Sequence, residues 1–153
     1  YNNFSYLIED LVNKKKIRIK ILGSRNNLPS KINDIFIKAE ELSINNNILN
    51  LNLAFNYGFK EEIKMVLKKF KNNFNNINLE NEMDIKKLFF LESLEDPDIL
   101  IRTGGYKRLS NFVMYNLTYT ELFFTNTLWP DFTIDEYEKI ISEYSKINRT
   151  YGL

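Results

Sequence analysis

The sequence predicts an α/β fold, with a mostly parallel sheet flanked by helices, on three observations. Short apolar or β-branched segments alternate with longer amphipathic segments along the chain. The strand-like segments are largely apolar, which is typical of parallel strands covered on both faces. The chain has 153 residues, enough for one ordinary domain, and it contains no internal repeat or long linker. We therefore expect residues 1–153 to belong to a single domain.

The first third of the chain alternates between helix and strand. Apolar residues at helical spacing predict a helix over residues 4–12. Alternating β-branched residues predict a strand over residues 17–22, which ends in the turn-rich segment 23–29. A second amphipathic helix is predicted over residues 30–44. A run of three asparagines separates it from a strand over residues 48–55.

The remainder of the chain continues this alternation with shorter elements. Helical spacing predicts helices over residues 60–70 and 83–91. The Asn-rich segment between them, residues 71–81, is expected to be a mobile loop. The turn Asp96-Pro97-Asp98 precedes a short buried strand over residues 99–101. The last predicted elements are a short helix over residues 109–117, a strand over 119–125 and a helix over 133–147 capped by Thr133 or Asp131.

Composition excludes several classes of function. Lys plus Arg is 21 and Asp plus Glu is 20, so the net charge of +1 lacks the basic excess of a nucleic-acid-binding domain. The absence of His and Cys excludes a Ser-His-Asp triad, thiolate chemistry and zinc sites built on either residue. A metal ion would need oxygen ligands, which favours Mg²⁺. No apolar run approaches the roughly 20 residues that span a bilayer.

The segment with the clearest chemistry follows the predicted strand over residues 99–101. Arg102 ends this strand, two glycines follow, and Arg108 and Ser110 open the next predicted helix. Two guanidinium groups can grip phosphate oxygens, and the glycines would let backbone amides approach the ligand. A helix N-terminus would add further donors. These features predict an anion site, and the alternative is a basic surface loop around a glycine turn.

Other polar residues stand within or after predicted strands. Glu121 lies among aromatic residues, where a buried carboxylate needs a partner or a metal ion. The alternative for Glu121 is a position that faces solvent or caps a helix. Asn56 and Tyr57 follow the strand over residues 48–55, at the edge where parallel sheets bind ligands. A turn that merely ends the strand is the alternative for these two residues.

Together these segments resemble the cis-prenyltransferase family, specifically the undecaprenyl diphosphate synthases. The resemblance runs in order over nearly the whole chain. It rests on residues 17–23, Asn56-Tyr57-Gly58 at the end of 51–58, Arg102-Thr103-Gly104-Gly105 within 96–105, and residues 108–112, 121–125 and 128–132. The resemblance implies an undecaprenyl diphosphate synthase-like α/β fold with its N-terminal portion missing, and a homodimer.

The resemblance implies a prenyltransferase that condenses isopentenyl diphosphate onto an allylic diphosphate, farnesyl diphosphate. The product would be a long-chain polyprenyl diphosphate such as undecaprenyl diphosphate. By position, Arg102, Arg108, Leu109 and Ser110 would bind isopentenyl diphosphate, and Glu121 would help to hold the cofactor Mg²⁺. Further residues that would line the site are Asn56, Tyr57, Gly104 and Gly105. The expected location is the cytoplasm or an organellar matrix, with peripheral membrane contact through the lipid product.

The chain departs from the family pattern in four places. The Asp-Gly-Asn segment, which carries the family's catalytic Asp and binds the allylic diphosphate, would lie upstream of Tyr1. Ser24 stands where the family usually has Asp, Tyr106 where bacterial members commonly have Glu, and Thr150 where an Arg is usual. We therefore expect this chain to carry the half-site for isopentenyl diphosphate and Mg²⁺, and to be inactive alone.

Two other functions stay open on the sequence. The chain could be a non-catalytic partner subunit of a heteromeric cis-prenyltransferase, or a truncated, inactive remnant. Accessory subunits of this family often lose their diphosphate ligands. Arg102, Arg108, Ser110 and Glu121 are all present here, which favours the enzyme.

Overall fold

The computed structural model describes residues 6, 8–14, 16–91 and 95–149 of the chain. The chain divides into two compact units, Tyr1–Glu92 and Ser93–Leu153. Within the described residues, each unit contains one pair of parallel strands together with helices. The predicted α/β fold with parallel strands is therefore confirmed.

The first unit is built on the parallel strands β1 (Ile17–Leu22) and β2 (Leu49–Ala54). Alternation along β1 turns Ile19 and Ile21 into a core shared with helix α1 (Ser30–Ser43). Burial of this apolar face supplies the main stabilisation of the unit. Both strands and α1 begin and end within one residue of their predicted bounds.

One edge of β1 is occupied by side chains of α1. Ser43 Oγ accepts the backbone N–H of Ile19 at 3.0 Å, and Glu40 Oε1 accepts that of Ile21 at 2.9 Å. The second oxygen of Glu40 forms an ion pair with Arg25 at 2.5 Å. The charge of Arg25 is therefore balanced within the first unit.

Helix α2 (Phe59–Asn73) and the short helix α3 (Glu82–Lys86) complete the first unit. A 3₁₀ turn at Phe74–Asn76 follows α2 directly. The interpretation of residues 71–81 as a mobile loop is therefore wrong for the part up to this turn. The cause is local, because the basic last turn of α2 suits the negative end of the helix dipole. Asn81 caps α3 by accepting a first-turn N–H at 2.9 Å, and α3 ends earlier than predicted.

The second unit is built on the parallel strands β3 (Ile99–Arg102) and β4 (Glu121–Phe124). Helix α4 (Ile134–Tyr144) follows β4 in the chain. Its N-cap is Thr133, whose hydroxyl accepts a first-turn N–H at 3.3 Å, and not the alternative candidate Asp131. These elements confirm both predicted strands and the last predicted helix.

The predicted helix over residues 109–117 is wrong, because only Met114–Leu117 forms a 3₁₀ turn. Ser110, Asn111 and Val113 have φ angles of 50°, 66° and 38°. These left-handed values are incompatible with a right-handed helix. The polar residues after β3 therefore lie in an irregular loop.

The predicted helix over residues 4–12 lies partly outside the described residues. Its described end continues into a π-helix at Asp10–Lys14, where Val12 is buried. Asp10 and Lys14 form an ion pair at 2.9 Å across one helical turn. Along the described stretches, no helix is long and apolar enough to cross a membrane.

Candidate anion-binding site

The candidate site lies at the C-terminal end of β3, in the second unit. Arg102 is the last residue of this strand. A cleft of about 330 Å³ opens beside it, lined by Leu100, Ile101, Arg102, Thr103, Leu109, Ser110 and Phe112. Clefts at the carboxyl ends of parallel strands are the usual ligand sites of α/β folds. Of the residues predicted to bind diphosphate, Arg102, Leu109 and Ser110 line this cleft.

Two arginines and a serine form a hydrogen-bonded cluster at this cleft. Arg102 Nη1 donates to Ser110 Oγ at 2.9 Å and to the carbonyl oxygen of Arg108. Arg108 Nε donates to the same Ser110 Oγ at 3.2 Å. A hydroxyl oxygen accepts two bonds and donates one, so Ser110 can still offer its hydrogen to an anion. The structure thus brings together three of the predicted diphosphate-binding residues.

The two guanidinium charges of this cluster lack a carboxylate counter-charge. Among the described residues, no Asp or Glu forms an ion pair with Arg102 or Arg108, whereas Arg149 pairs with Asp98 in the same unit. Tyr106 contributes its ring instead, with the Arg108 Cζ atom 4.2 Å and the Arg102 Cζ atom 6.0 Å from the ring centroid. Two neighbouring cations held in this way attract an anion.

The backbone amides of the glycines do not face the cleft. Gly104 N–H donates to the carbonyl oxygen of Thr127 at 2.8 Å, and Gly105 N–H donates to that of Thr125 at 2.9 Å. The expectation that these amides bind the ligand is therefore wrong, because they join the chain after β3 to the chain after β4. The expected helix N-terminus is also missing, since residues 110, 111 and 113 are left-handed. The site consists of side-chain donors.

The glycines are required by backbone conformation. Their φ angles are 85° at Gly104 and 79° at Gly105, in the region that favours glycine. A Cβ atom at Gly105 would also lie 3.2 Å from Asn126 Oδ1. Gly104 and Gly105 therefore shape the turn that carries the chain from Arg102 to Arg108.

Three residues in this region were not singled out from the sequence. Thr125 and Thr127 each donate a hydroxyl hydrogen to Glu136 Oε1, at 3.0 Å and 2.8 Å. The Thr127 hydroxyl is the main cause that holds the pKa of Glu136 below its ordinary value. Desolvation opposes this, while Thr125, the backbone of Thr133 and the charge of Lys139 lower the pKa further. The spacing of Thr133 and Glu136 matches a capping box. That spacing is the one sequence pattern that could have drawn attention to Glu136.

Glu121 is the first residue of β4 and is half-buried. Its backbone N–H donates to the carbonyl oxygen of Asp98 at 3.0 Å. It stands opposite Ile99, and Arg102 stands three residues further along β3, about 10 Å of strand. Within the described residues, no group of three His, Cys, Asp or Glu side chains could hold a metal ion. Glu121 can therefore supply one oxygen ligand, not a complete metal site.

Asn56 and Tyr57 belong to the first unit, and their polar groups are satisfied there. Asn56 Nδ2 donates to the carbonyl oxygen of Ser24 at 3.1 Å, and Ser24 N–H donates to that of Asn56 at 3.3 Å. The Tyr57 hydroxyl donates to Glu62, whose Oε1 also accepts the N–H of Phe90 at 2.7 Å. Glu62 is buried. These contacts support a strand-ending turn, so a ligand role for Asn56 and Tyr57 stays a prediction.

The family described as "Putative undecaprenyl diphosphate synthase" matches residues 3–152 of this chain. The chain belongs to this family. An isoprenyl transferase of Fusobacterium nucleatum subsp. nucleatum is 39% identical over 143 residues, which are 91% of this chain and 59% of the relative. A relative from Blochmanniella floridana is a ditrans,polycis-undecaprenyl-diphosphate synthase, (2E,6E)-farnesyl-diphosphate specific. It is 35% identical over 145 residues, which are 92% of this chain and 58% of the relative.

Two solved structures of family enzymes have the same fold. A probable undecaprenyl diphosphate synthase from Campylobacter jejuni matches with a TM-score of 0.86 and 29% identity, over 99% of this chain and 71% of the other. Lavandulyl diphosphate synthase from Lavandula x intermedia, in complex with dimethylallyl diphosphate, matches with a TM-score of 0.90 and 28% identity. That match covers 99% of this chain and 67% of the other. The chain spans less than two thirds of the length of the Fusobacterium and Blochmanniella relatives.

Proposed function

We propose that this chain carries the isopentenyl diphosphate half-site of a cis-prenyltransferase. The complete enzyme would condense isopentenyl diphosphate onto an allylic diphosphate such as farnesyl diphosphate, and would release a long-chain polyprenyl diphosphate. One observation carries the proposal, namely that the guanidinium groups of Arg102 and Arg108 converge on Ser110 near the C-terminal end of β3 and pair with no carboxylate in the part of the chain that the structure describes. The Blochmanniella relative, a farnesyl-diphosphate-specific undecaprenyl-diphosphate synthase, is consistent with it.

The residues of this cluster would bind and orient the nucleophilic substrate. Guanidinium forks of Arg102 and Arg108 would bind diphosphate oxygens, and Ser110 would donate its hydroxyl hydrogen. Leu109 lies between Arg108 and Ser110 and lines the cleft, so it would lie beside the bound diphosphate. Fixing the diphosphate end would hold the double bond of isopentenyl diphosphate in position to attack the allylic carbon. As the new carbon–carbon bond forms, the bond between the allylic carbon and its diphosphate would break, and inorganic diphosphate would leave with the bonding electron pair. Loss of a proton from the isopentenyl unit to the released diphosphate or to water would then form the new double bond.

Glu121 fits a role as one oxygen ligand of Mg²⁺. Hard cations of this kind are held in proteins by one or two carboxylates together with water and substrate phosphates. A half-buried carboxylate in an aromatic strand satisfies that requirement without a cluster of acidic residues. When bound, Mg²⁺ would neutralise the charge of a diphosphate group. The remaining ligands would come from the substrate, from water or from residues beyond those described.

The share of the relatives that this chain covers supports a half-site, not a complete enzyme. The chain matches 59% of the Fusobacterium enzyme, so 41% of that enzyme has no counterpart here. We propose that a segment equivalent to that missing part supplies the binding site for the allylic diphosphate and the catalytic carboxylate. Assembly into a homodimer and the union of both units in one domain belong to the same proposal.

A chimera tests the proposed function. The N-terminal part of the Fusobacterium enzyme without a counterpart here would be joined to this chain, and incorporation of labelled isopentenyl diphosphate onto farnesyl diphosphate would be measured with Mg²⁺. We expect the 153-residue chain to be inactive and the chimera to be active. A chimera that binds diphosphate but does not elongate would favour a non-catalytic partner subunit. A folded chain and chimera that do not bind diphosphate would favour an inactive remnant.

A further inference from the structure

The loop that joins the two arginines of the site is held in place by the chain that follows β4. This arginine loop, residues 103–108, starts from Arg102 at the end of β3. Its two glycine amides donate to the carbonyl oxygens of Thr127 and Thr125, at 2.8 Å and 2.9 Å. The position of Arg108 relative to Arg102 therefore depends on where these two threonines lie.

Both threonines are in turn fixed by a single carboxylate oxygen. Each threonine hydroxyl has one hydrogen to donate. Thr127 Oγ1 lies 2.8 Å and Thr125 Oγ1 lies 3.0 Å from Glu136 Oε1. The Thr125 hydroxyl oxygen also accepts the backbone N–H of Thr127 at 3.2 Å. The segment between the two threonines is thereby closed into a tight turn around one acceptor.

Glu136 lies in the first turn of α4. Its N–H donates to Thr133 Oγ1 at 3.3 Å, as in a capping box. Its pKa lies below the ordinary value, chiefly because of the Thr127 hydroxyl, so the carboxylate is ionised at neutral pH. A charged acceptor makes stronger hydrogen bonds than a neutral one. The bonds therefore run from α4 through Glu136 and two threonines to the arginine loop.

We propose that Glu136 is a positioning residue for the diphosphate site, acting through Thr125 and Thr127 on the arginine loop. This inference rests on the proposed function, because it assumes that the arginine cluster binds a diphosphate. If Glu136 served only to cap α4, its contact with Thr133 would be sufficient. The hydrogen bonds from the Thr125 and Thr127 hydroxyls would then not be needed. The two additional bonds give Glu136 a second task, which is to fix the distance between two guanidinium groups that repel each other.

The test compares isosteric variants of this chain and uses inorganic diphosphate as the probe. Thr127→Val keeps the shape of the side chain and removes the hydroxyl that donates to Glu136. Glu136→Gln keeps an acceptor oxygen, and Glu136→Leu removes it. Thr133→Ala is the matched control, because it removes the helix cap and leaves the two threonine hydroxyls intact. For each protein the dissociation constant, the melting temperature and the amide exchange of Gly104 and Gly105 are measured.

We expect Thr127→Val to raise the dissociation constant about fivefold, the equivalent of about one lost hydrogen bond. Glu136→Leu should raise it at least as much, and Glu136→Gln should stay within about twofold of the unmodified chain. Amide exchange at both glycines should rise in Thr127→Val and Glu136→Leu only. Thr133→Ala should lower the melting temperature and leave the dissociation constant unchanged.

Two results would overturn the inference. One is an unchanged dissociation constant and unchanged glycine exchange in Thr127→Val and Glu136→Leu. The other is a set of affinities that follow the melting temperatures of all four variants, with Thr133→Ala among the weak binders, because α4 would then act only as a structural support. If the folded, unmodified chain does not bind diphosphate, the proposed function fails instead. Glycine exchange then decides by itself whether Glu136 orders the loop.

Discussion

The two strand pairs of this protein have the same parallel geometry but differ in how charges are balanced beyond their C-terminal ends. Beyond β1 and β2, the polar groups bond to one another, as Ser24 does with Asn56. The nearby Arg25 is balanced by Glu40. Beyond β3 and β4, Arg102 and Arg108 converge on one serine hydroxyl, and no carboxylate pairs with either among the described residues.

This difference shows that a polar motif at the end of a strand is not sufficient evidence of a binding site. In the first unit, the polar groups at the strand end bond within the unit, and the buried Glu62 would be costly without its donors. Among the described residues of the second unit, Arg102 and Arg108 have no carboxylate partner, and an anionic ligand would supply the counter-charge. The predictions below test whether the two strand ends really divide into a structural one and a binding one.

The largest effect is expected from the buried carboxylate of the first unit. Glu62 accepts bonds from the Tyr57 hydroxyl and the Phe90 N–H, and Glu62→Leu would leave both donors without this acceptor. We expect the free energy of unfolding to fall by about 3 kcal/mol, measured by urea denaturation. Under native conditions, the affinity of this variant for inorganic diphosphate should stay unchanged. Weaker binding at full stability would contradict the division between the two strand ends.

The next effect concerns the arginines of the second unit. Loss of one charge-assisted contact costs about 1.5–3 kcal/mol. Arg102→Ala and Arg108→Ala should therefore each weaken the binding of inorganic diphosphate roughly ten- to a hundredfold in calorimetric titrations. Arg18→Ala removes an exposed arginine of β1 and is the matched control, with no expected change. Equal affinities in all three variants would refute the anion site.

A smaller effect is expected at Glu121. Glu121→Gln preserves the size of the side chain and removes the charge that would hold Mg²⁺. In the active chimera, this variant should need several-fold more Mg²⁺ for half-maximal rate, and excess Mg²⁺ should restore most of that rate. An identical Mg²⁺ titration would leave Glu121 with a purely structural role in β4.

Tyr106 should have a modest effect, because its ring and its nearer arginine, Arg108, are exposed. A cation–π contact at an exposed site contributes about 0.5–1 kcal/mol. Tyr106→Leu should raise the dissociation constant of inorganic diphosphate about two- to fivefold, whereas Tyr106→Phe retains the ring and should bind normally. If Tyr106→Phe binds as weakly as Tyr106→Leu, the hydroxyl and not the ring is responsible.

The smallest effect is a dependence of stability on pH. The pKa of Glu136 is lowered in the folded protein, first by the Thr127 hydroxyl and also by the charge of Lys139. Its stabilising contribution is therefore present above about pH 4.3 and is lost as the pH falls through the lowered pKa. Unfolding measured from pH 5 downward should show a smaller loss of stability in Glu136→Gln than in the unmodified chain.

The first unit has its own carboxylate of this kind, Asp84, whose pKa is lowered chiefly by the hydrogen bond from Lys87. That contribution should persist in the variant.

Local patterns in the sequence were sufficient to predict the strands and most of the helices. Alternation in β1 and the capped start of α4 depend on neighbouring residues alone. The cluster of Arg102, Arg108 and Ser110 was also predicted, because it lies within nine consecutive residues. The helix over residues 109–117 was not, because its residues adopt left-handed conformations that spacing does not reveal.

The orientation of the glycine amides and the role of Glu136 could not be read from local patterns. Both depend on contacts between residues at least nine positions apart, such as Gly104 with Thr127 and Thr127 with Glu136. A Gly-Gly pair after a strand predicts a turn but does not say which way its amides face. The capping box predicts where α4 starts. It does not predict that the Thr125 and Thr127 hydroxyls bond to Glu136.

The most direct test of the central claim is to map where a diphosphate binds on the folded chain. Backbone amide chemical shifts would be recorded by NMR during a titration with inorganic diphosphate. The account predicts saturable changes within residues 100–112 and no change at Ser24, Asn56 or Tyr57. Saturable changes at those three residues, with none within residues 100–112, would contradict it.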